Sequence, residues 1–400
     1  MRVLFISDVY FPRVNGVSTS IRTFRQDLAA AGVRTLLVAP RYAGDDAPDE
    51  GAQVLRVPAS GVPGDPEDRR MAWGALQRAL ALLPRGEFDL VHIHTPFVAH
   101  YAGVRFARQA NIPCVATYHT FFEEYLHHYL PVVPRPLGRF IARHFTRSQC
   151  AQVQALIAPS EPMRAVLDEY GVRTPIHVLP TGLAADRFRP GDGAAFRARA
   201  GIAPGRPLMT YIGRVAHEKN IGFLLQVLRR VLQEVPQGLL VIAGEGPARE
   251  GLRAQVAALG LNDSVHFAGY LERDTELLDC YAAADAFVFA SRTETQGLVL
   301  LEAMAQGAAV VSTAELGTRS ILVPGSGALV VPEEAGAFAA AVVRVLTDAG
   351  LREGMAARGL AYARTWSSAV MARRLAELYG ELAALPPPQR LGGLVRPGAS

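Results

Sequence analysis

Glu294 and Glu302 lie in one stretch, Ser291-Arg-Thr-Glu-Thr-Gln-Gly-Leu-Val-Leu-Leu-Glu-Ala-Met-Ala305. The apolar run before it, Ala286-Phe-Val-Phe-Ala290, predicts a buried parallel strand. A polar loop follows, and Gly297 opens a strongly apolar helix. A strand that stops at a polar loop and turns into a helix leaves free backbone N–H groups at the carboxyl edge of a sheet. Dipole and unpaired donors make that edge an anion site. Glu294 in the loop and Glu302 in the second helical turn frame it. Neither is needed to build the fold. Glu302 lies inside the apolar segment Leu298 to Ala305, where a carboxylate must find a hydrogen-bond partner or lower stability. Sugar hydroxyls would serve.

Two cations, Arg214 and Lys219, follow another predicted strand in Leu208-Met-Thr-Tyr-Ile-Gly-Arg-Val-Ala-His-Glu-Lys-Asn220. Among 41 basic residues, Lys219 is the one lysine. A GC-rich genome favours Arg and Ala, and against that bias the lysine marks a place where a compact ammonium is not replaceable by a planar guanidinium. The plainer alternative is a surface charge pair near a helix start. A ligand with a diphosphate between a ribose and a sugar fits the whole set. Arg214, Lys219 and the helix dipole would neutralise the diphosphate, Glu302 would accept from ribose hydroxyls and Glu294 from sugar hydroxyls. Two cations and a dipole can stabilise a departing nucleoside diphosphate without Mg²⁺. No Asp-x-Asp stands in the loops concerned, and no metal or other cofactor is expected.

The elements that must hold these groups are those of an α/β protein. Arg2 to Ser7 predicts a strand, Asp8 to Gly16 a loop, Val17 to Ala31 a helix capped by Gly32, and Val33 to Ala39 a second strand. The loop lacks G-x-G-x-x-G, so it is no dinucleotide fingerprint. Asn15-Gly16 gives a flexible backbone at a helix N-terminus, suited either to a phosphate or to an ordinary turn. Further strands are predicted at Val54–Val57, Leu90–Ile93, Pro113–Thr117, Ala155–Ala158 and Ile176–Leu179. His92, His94 and His119 sit at strand ends without metal spacing. His92 and His94 alternate along one strand and are assigned to packing. His119 follows a buried strand directly, at the edge where open α/β sheets bind ligands, and is assigned to the site.

Arg135, Arg139, Arg143 and Arg147 recur every fourth residue, with Leu137, Phe140, Ile141 and Phe145 on the other side of the helix they predict. An aromatic stretch, Phe121 to Pro134, precedes it. Either the cationic face is solvated while the apolar side packs on the domain, or the helix contacts anionic lipid head groups. The four arginines are the membrane-contact candidates. A Pro/Gly-rich segment from Phe188 to Pro207 predicts the linker to a second α/β series beginning at Leu208. The Pro-rich tail, 387–400, is expected to be disordered.

Four hundred residues suggest two domains, and 50% hydrophobic with 20% charged residues gives a large core. Net charge is only +4, and no nucleic-acid partner is expected. Cys114, Cys150 and Cys280 have neither metal nor disulfide spacing, which indicates a reducing compartment. The N-terminal apolar run is too short for a signal peptide and no stretch reaches transmembrane length. A cytoplasmic protein, or one peripheral on the inner membrane face, is expected.

Four separated motifs in order carry a resemblance over nearly the whole chain. Glu294-x7-Glu302, Gly213-Arg214-x4-Lys219-Asn220, Tyr10-Phe-Pro-Arg-Val-Asn-Gly-Val-Ser-Thr-Ser-Ile21 and Tyr118-His-Thr120 resemble those of the retaining GT-B glycosyltransferases of family 4. Thr-Glu-Thr-Gln-Gly297, His119-Thr-x3-Glu-Tyr125 and Asn15-Gly16-Val-Ser are most similar to bacterial diacylglycerol glucosyltransferases. The resemblance implies two doubly wound Rossmann-like domains facing across a cleft. It implies an acceptor-binding domain at 1–187, a sugar-nucleotide domain at 188–366 and a helix at 367–386 crossing back after Trp366-Ser367. It implies that Gly16 approaches the diphosphate and His119 the donor sugar, that Arg214 and Lys219 bind diphosphate, Glu294 the sugar and Glu302 the ribose. The backbone of Gly297 and Leu298 would hold phosphate. Asn15 stands where many family members have a second glycine.

The function expected is transfer of glucose or galactose from a UDP-sugar to a lipid such as diacylglycerol, with retention. The alternatives are a GDP-mannose-dependent mannosyltransferase acting on a lipid or polysaccharide precursor, a sugar-nucleotide-binding protein without turnover, and a GT-B epimerase. The intact Glu294, Glu302, Arg214 and Lys219 argue against the binding protein, and the completeness of the match to the transferase motifs argues against the epimerase.

Overall fold

The computed structural model describes residues 1–42, 53–62, 65–119 and 135–385. The chain forms two compact units. One comprises Met1–Thr181 with the segment from Ser368 onward, the other Gly182–Ser367. The aromatic stretch before Arg135 and the tail 387–400 lie outside the described residues.

The first unit runs β1 (Arg2–Ile6), α1 (Gly16–Ala30), β2 (Arg34–Pro40), β3 (Val54–Val57), a hairpin of β4 (Ala59–Val62) and β5 (Asp65–Met71), and α2 (Trp73–Ala81). It continues with β6 (Leu90–Ile93), α3 (Val98–Ala110), β7 (Cys114–Thr117), α4 (Arg135–Cys150), β8 (Ala155–Ala158), α5 (Glu161–Glu169) and β9 (Ile176–Val178). Its sheet has the order β3-β2-β1-β6-β7-β8-β9, with parallel pairings throughout. The strands are short apolar runs because helices cover the sheet's faces. The hairpin was not foreseen. Its strand β5, Asp-Pro-Glu-Asp-Arg-Arg-Met71, carries no apolar alternation to signal it.

The second unit contains α6 (Gly193–Arg199), β10 (Leu208–Ile212), α7 (Ile221–Glu234), β11 (Leu239–Ala243), α8 (Arg249–Ala258) and β12 (Val265–Gly269). Then come α9 (Glu276–Ala283), β13 (Ala286–Phe289), α10 (Leu298–Ala305), β14 (Ala309–Ser312), β15 (Leu329–Val330), α11 (Ala335–Thr347) and α12 (Ala349–Ala363). The sheet order is β12-β11-β10-β13-β14-β15, again parallel. The expected linker, Phe188 to Pro207, is packed into this unit. Gly191 and Gly193 lie so close to α9 that a Cβ would stand 2.3 Å from Leu278 O and 2.6 Å from Ala282 O respectively. Nearby, Arg187 donates to Arg273 O at 2.8 Å.

After α12 the chain returns to the first unit as α13 (Ser368–Ala383). Met371, Ala372, Leu375, Leu378, Tyr379 and Leu382 join the core of that unit beside Ile21, Phe24 and Leu28 of α1. Tyr379 also reaches the sheet, with its hydroxyl 2.5 Å from His92 Nδ1.

Both sheets reverse their winding once. In the first unit this happens between β1 and β6, in the second between β10 and β13. At such a point the two connections leave in opposite directions, and a crevice opens outside the carboxyl ends of the strands. The loop from β13 to α10 is braced there by backbone contact. Gly317 N donates to Glu294 O at 2.8 Å, and a Cβ on Gly317 would stand 2.1 Å from Thr295 O. Gly317→Ala must therefore displace that loop. The expected cost is about 1–3 kcal/mol in urea denaturation, and an unchanged midpoint would show that the loop does not depend on this contact.

Candidate functional site

The second unit's switch point gathers the charged residues singled out in the sequence. After β10 the chain passes Gly213 and Arg214 and forms a short 3-10 turn, His217–Lys219. Asn220 ends that turn in a left-handed conformation, φ 57°, and α7 begins. After β13 come Ser291 to Gln296 and then Gly297, with φ 96°, at the cap of α10. A side chain at Gly297 would be strained by that φ and would meet Thr318 Cγ2 at 3.0 Å. No side-chain hydrogen bond caps α10, and a helix N-terminus without such a cap suits an anion.

These two loops meet. Lys219 Nζ is ion-paired to Glu294 Oε1, both side chains about one-fifth exposed. Asn220 Nδ2 donates to Ala290 O at 3.3 Å. Arg214 is 3.6 Å from the carboxylate of Glu218. These loops therefore hold their cations against their own carboxylates, so each charge is partly neutralised within the chain. The sequence reading gave Lys219 and Glu294 separate tasks; the structure adds that they are partners.

Glu302 corrects an expectation. Its carboxylate has partners within the chain and does not depend on sugar hydroxyls to satisfy it. Arg273 Nη2 donates to Oε1 at 2.7 Å and Tyr281 Oη donates to Oε2 at 3.0 Å. Burial, followed by the charge of Glu302, pushes the Tyr281 hydroxyl well above its ordinary pKa, so it stays a donor. Arg273 and Tyr281 were missed in the sequence. Arg273 follows the carboxyl end of a strand, β12, as Lys219 follows β10, but nothing in the sequence pairs it with Glu302.

Gly16 and His119 belong to the first unit. Gly16 is the first residue of α1, whose cap Asn15 accepts from Ser18 N at 2.8 Å. A Cβ at Gly16 would meet nothing within 4 Å, so the protein itself leaves this backbone open to approach. His119 stacks on His94 with ring centroids 5.8 Å apart, and His94 lies 4.0 Å from His92 on the same face, as their alternation predicts. Burial pushes His119 down to about 4, which keeps its imidazole neutral near pH 7. A small recess beside it is lined by Ile93, Thr95, His100, Thr117, Gln149 and Leu156. Asp8 was not foreseen here. It accepts from Thr95 Oγ1 at 2.8 Å and from Ala99 N at the start of α3, and burial raises its carboxyl to about 6.

α4 departs from one of its two sequence readings. Its inward face is Ala142, Thr146, Gln149 and Cys150, small and polar residues that fit closely against the domain. Leu137, Phe140 and Ile141 are therefore exposed, Phe140 to 67%. They share the outer surface with Arg139 and Arg147. Arg143 is ion-paired to Glu169 and lies 5.2 Å over the Tyr170 ring. The side chain of Arg135 is outside the described residues. Among the described residues, no helix is long and apolar enough to cross a membrane.

Residues 14–187 match the model of Glycosyltransferase Family 4, and residues 193–361 that of glycosyl transferases group 1. An alpha-monoglucosyldiacylglycerol synthase from Streptococcus pneumoniae is 34% identical over 320 residues, 78% of this chain and 71% of that protein. The chain belongs to glycosyltransferase family 4. It is a hexosyltransferase with the GT-B architecture of two Rossmann-like domains. A GDP-mannose-dependent alpha-mannosyltransferase from Mycobacterium tuberculosis is 28% identical over 338 residues, 83% of this chain and 84% of that protein. Among solved structures, sucrose-phosphate synthase from Thermosynechococcus elongatus superposes with a TM-score of 0.78 at 22% identity. The match covers 96% of this chain and 99% of that one.

Proposed function

We propose that this glycosyltransferase moves a hexose, glucose or galactose, from a UDP-sugar to a diacylglycerol-type lipid at a membrane surface, with retention and without a metal. The outer surface of α4 carries the lipid part of the reading. Exposed Leu137, Phe140 and Ile141 among arginines suit insertion into the head-group region of an anionic bilayer, where the apolar side chains leave water and the cations meet phosphate. A soluble acceptor gives such a surface no task. Similarity to the pneumococcal lipid glucosyltransferase points the same way.

The donor is assigned to the second unit. Lys219 and Arg214 take the diphosphate, together with the backbone of Gly297 and Leu298 at the start of α10. Glu294 takes sugar hydroxyls and Glu302 the ribose. On binding, the diphosphate replaces Glu294 as the partner of Lys219, which frees the carboxylate for the sugar. In the transfer step the bond from the anomeric carbon to the diphosphate oxygen breaks as the acceptor oxygen attacks from the same face. The departing diphosphate takes the acceptor's proton. The cations and the helix dipole stabilise the negative charge that builds on the leaving group. The first unit is assigned to the acceptor side, and His119 and Gly16 keep the roles toward the donor sugar and the diphosphate that the resemblance implies.

Transfer from UDP-glucose, UDP-galactose and GDP-mannose to dioleoylglycerol vesicles and to soluble sugars tests this reading. A UDP-hexose with the lipid is expected to give product, equally with EDTA present. Lys219→Ala is expected to lower the rate about 10²–10³-fold, as for loss of one transition-state charge partner. Turnover of GDP-mannose alone would favour the mannosyltransferase alternative, to which the mycobacterial similarity also points. Near-normal turnover by Lys219→Ala would remove that residue from the diphosphate site.

The surface of α4 has its own test. Phe140→Asp combined with Arg139→Glu is expected to abolish co-sedimentation with anionic vesicles while leaving the melting temperature unchanged, because neither side chain enters the core. Unchanged co-sedimentation would exclude this face as the membrane contact.

A further inference from the structure

We propose that Tyr211 is a positioning residue: with Gly244 and Gly246 it fixes the backbone turn from which Arg214 reaches the diphosphate. This rests on the assignment of Arg214 to the diphosphate.

Three consecutive carbonyls, those of Gly213, Arg214 and Val215, are each held by a separate contact. A Cβ on Gly244 would stand 2.0 Å from Gly213 O, and one on Gly246 would stand 2.4 Å from Val215 O. These glycines have φ of 130° and 154°, which a side chain would strain. They let the loop after β11 lie directly on the loop after β10, backbone against backbone. Gly213 N donates to Ala243 O at 3.0 Å, Val215 N to Glu245 O at 2.8 Å and Ala248 N to Val215 O at 3.0 Å. The carbonyl of Arg214 itself accepts from Tyr211 Oη at 3.0 Å.

Tyr211 is fully buried in β10, and its ring stacks on Phe289 of β13 with centroids 5.9 Å apart. A phenylalanine would pack there as well, whereas a buried hydroxyl must find a partner. Gly213 gives the hydroxyl room to reach Arg214 O, since a Cβ at that position would stand 3.1 Å from Tyr211 Oη. Burial, followed by the charges of Glu294 and Glu218, pushes the phenol well above its ordinary pKa, so it stays a donor. The hydroxyl therefore lies close to the carboxylates that hold Lys219 and Arg214. A guanidinium sits on a long flexible stem, and ordering that stem against a ligand costs entropy. Fixing the carbonyls before, at and after Arg214 removes the backbone's share of that cost.

Calorimetric titration of the full-length protein with UDP and with GDP, read on the tighter of the two, tests the inference in a double-mutant cycle. The variants are Tyr211→Phe, Arg214→Ala and the two combined, with melting temperatures measured alongside. Arg214→Ala is expected to lose about tenfold in affinity, as for one charge-assisted contact. Tyr211→Phe is expected to lose about three- to tenfold, and nothing further in the Arg214→Ala background, because it acts through Arg214. Gly246→Ala, which pushes on Val215 O, is expected to show the same dependence on Arg214. If Gly246→Ala does not fold, Tyr211→Phe decides, since it removes a single oxygen and keeps the ring. Tyr211→Phe binding like wild type overturns the proposal. So does an equal loss in both backgrounds, which would mark the hydroxyl as purely structural. If Arg214→Ala itself binds both nucleotides like wild type, the assignment of Arg214 to the diphosphate fails, and this inference with it.

Discussion

The Lys219–Glu294 ion pair is the contact on which the second unit's site depends. Lys219 comes from the loop after β10 and Glu294 from the loop after β13, strands that are neighbours in the sheet although far apart in sequence. Parallel winding in opposite directions from this pair of strands leaves both loops at one edge with nothing between them. Two loops carrying opposite charge then close on each other. With side chains about one-fifth exposed, the pair keeps enough water contact to open at modest cost. A fully buried pair would be too costly to exchange for a ligand, and a fully exposed one would orient nothing.

Glu302 obeys the opposite logic. It is almost fully buried, so its charge must be held permanently, and Arg273 and Tyr281 hold it. Along one helix and the loop before it, the protein thus places one carboxylate that can change partners and one that is fixed. Between them Gly297 takes a left-handed backbone, φ 96°, that a side chain would strain, and no side-chain hydrogen bond caps the start of α10. A carboxylate that can change partners, a helix end without a side-chain cap and a carboxylate held in place follow from three local environments within a few residues, and the proposed function assigns them sugar, phosphate and ribose.

The strands of both units were legible because parallel strands buried on both faces are short apolar runs, as in Ala286 to Phe289. The charged loops were legible because polar residues at the end of such runs can only lie at the sheet's edge. Pairing was not legible. Lys219 meets Glu294 only because the sheet places β13 beside β10, and a single sequence does not state strand order. Arg273 escaped notice for the same reason, since its importance comes from touching Glu302. On α4 the period of the arginines was visible, but the face that packs was misjudged. Small Ala142 and polar Thr146 and Gln149 go inward, Phe145 is half-buried, and Leu137, Phe140 and Ile141 stay outside. Burial normally follows hydrophobicity, and this inversion is the observation on which the proposed membrane contact rests.

The Lys219–Glu294 pair is proposed as the resting form of a diphosphate site. A crystal structure of the protein with bound UDP-hexose measures this directly. Lys219 Nζ is expected within hydrogen-bond distance of a diphosphate oxygen, with Glu294 turned to the sugar hydroxyls and Glu302 still on Arg273 and Tyr281. A diphosphate bound elsewhere, with Lys219 and Glu294 still paired, would contradict it.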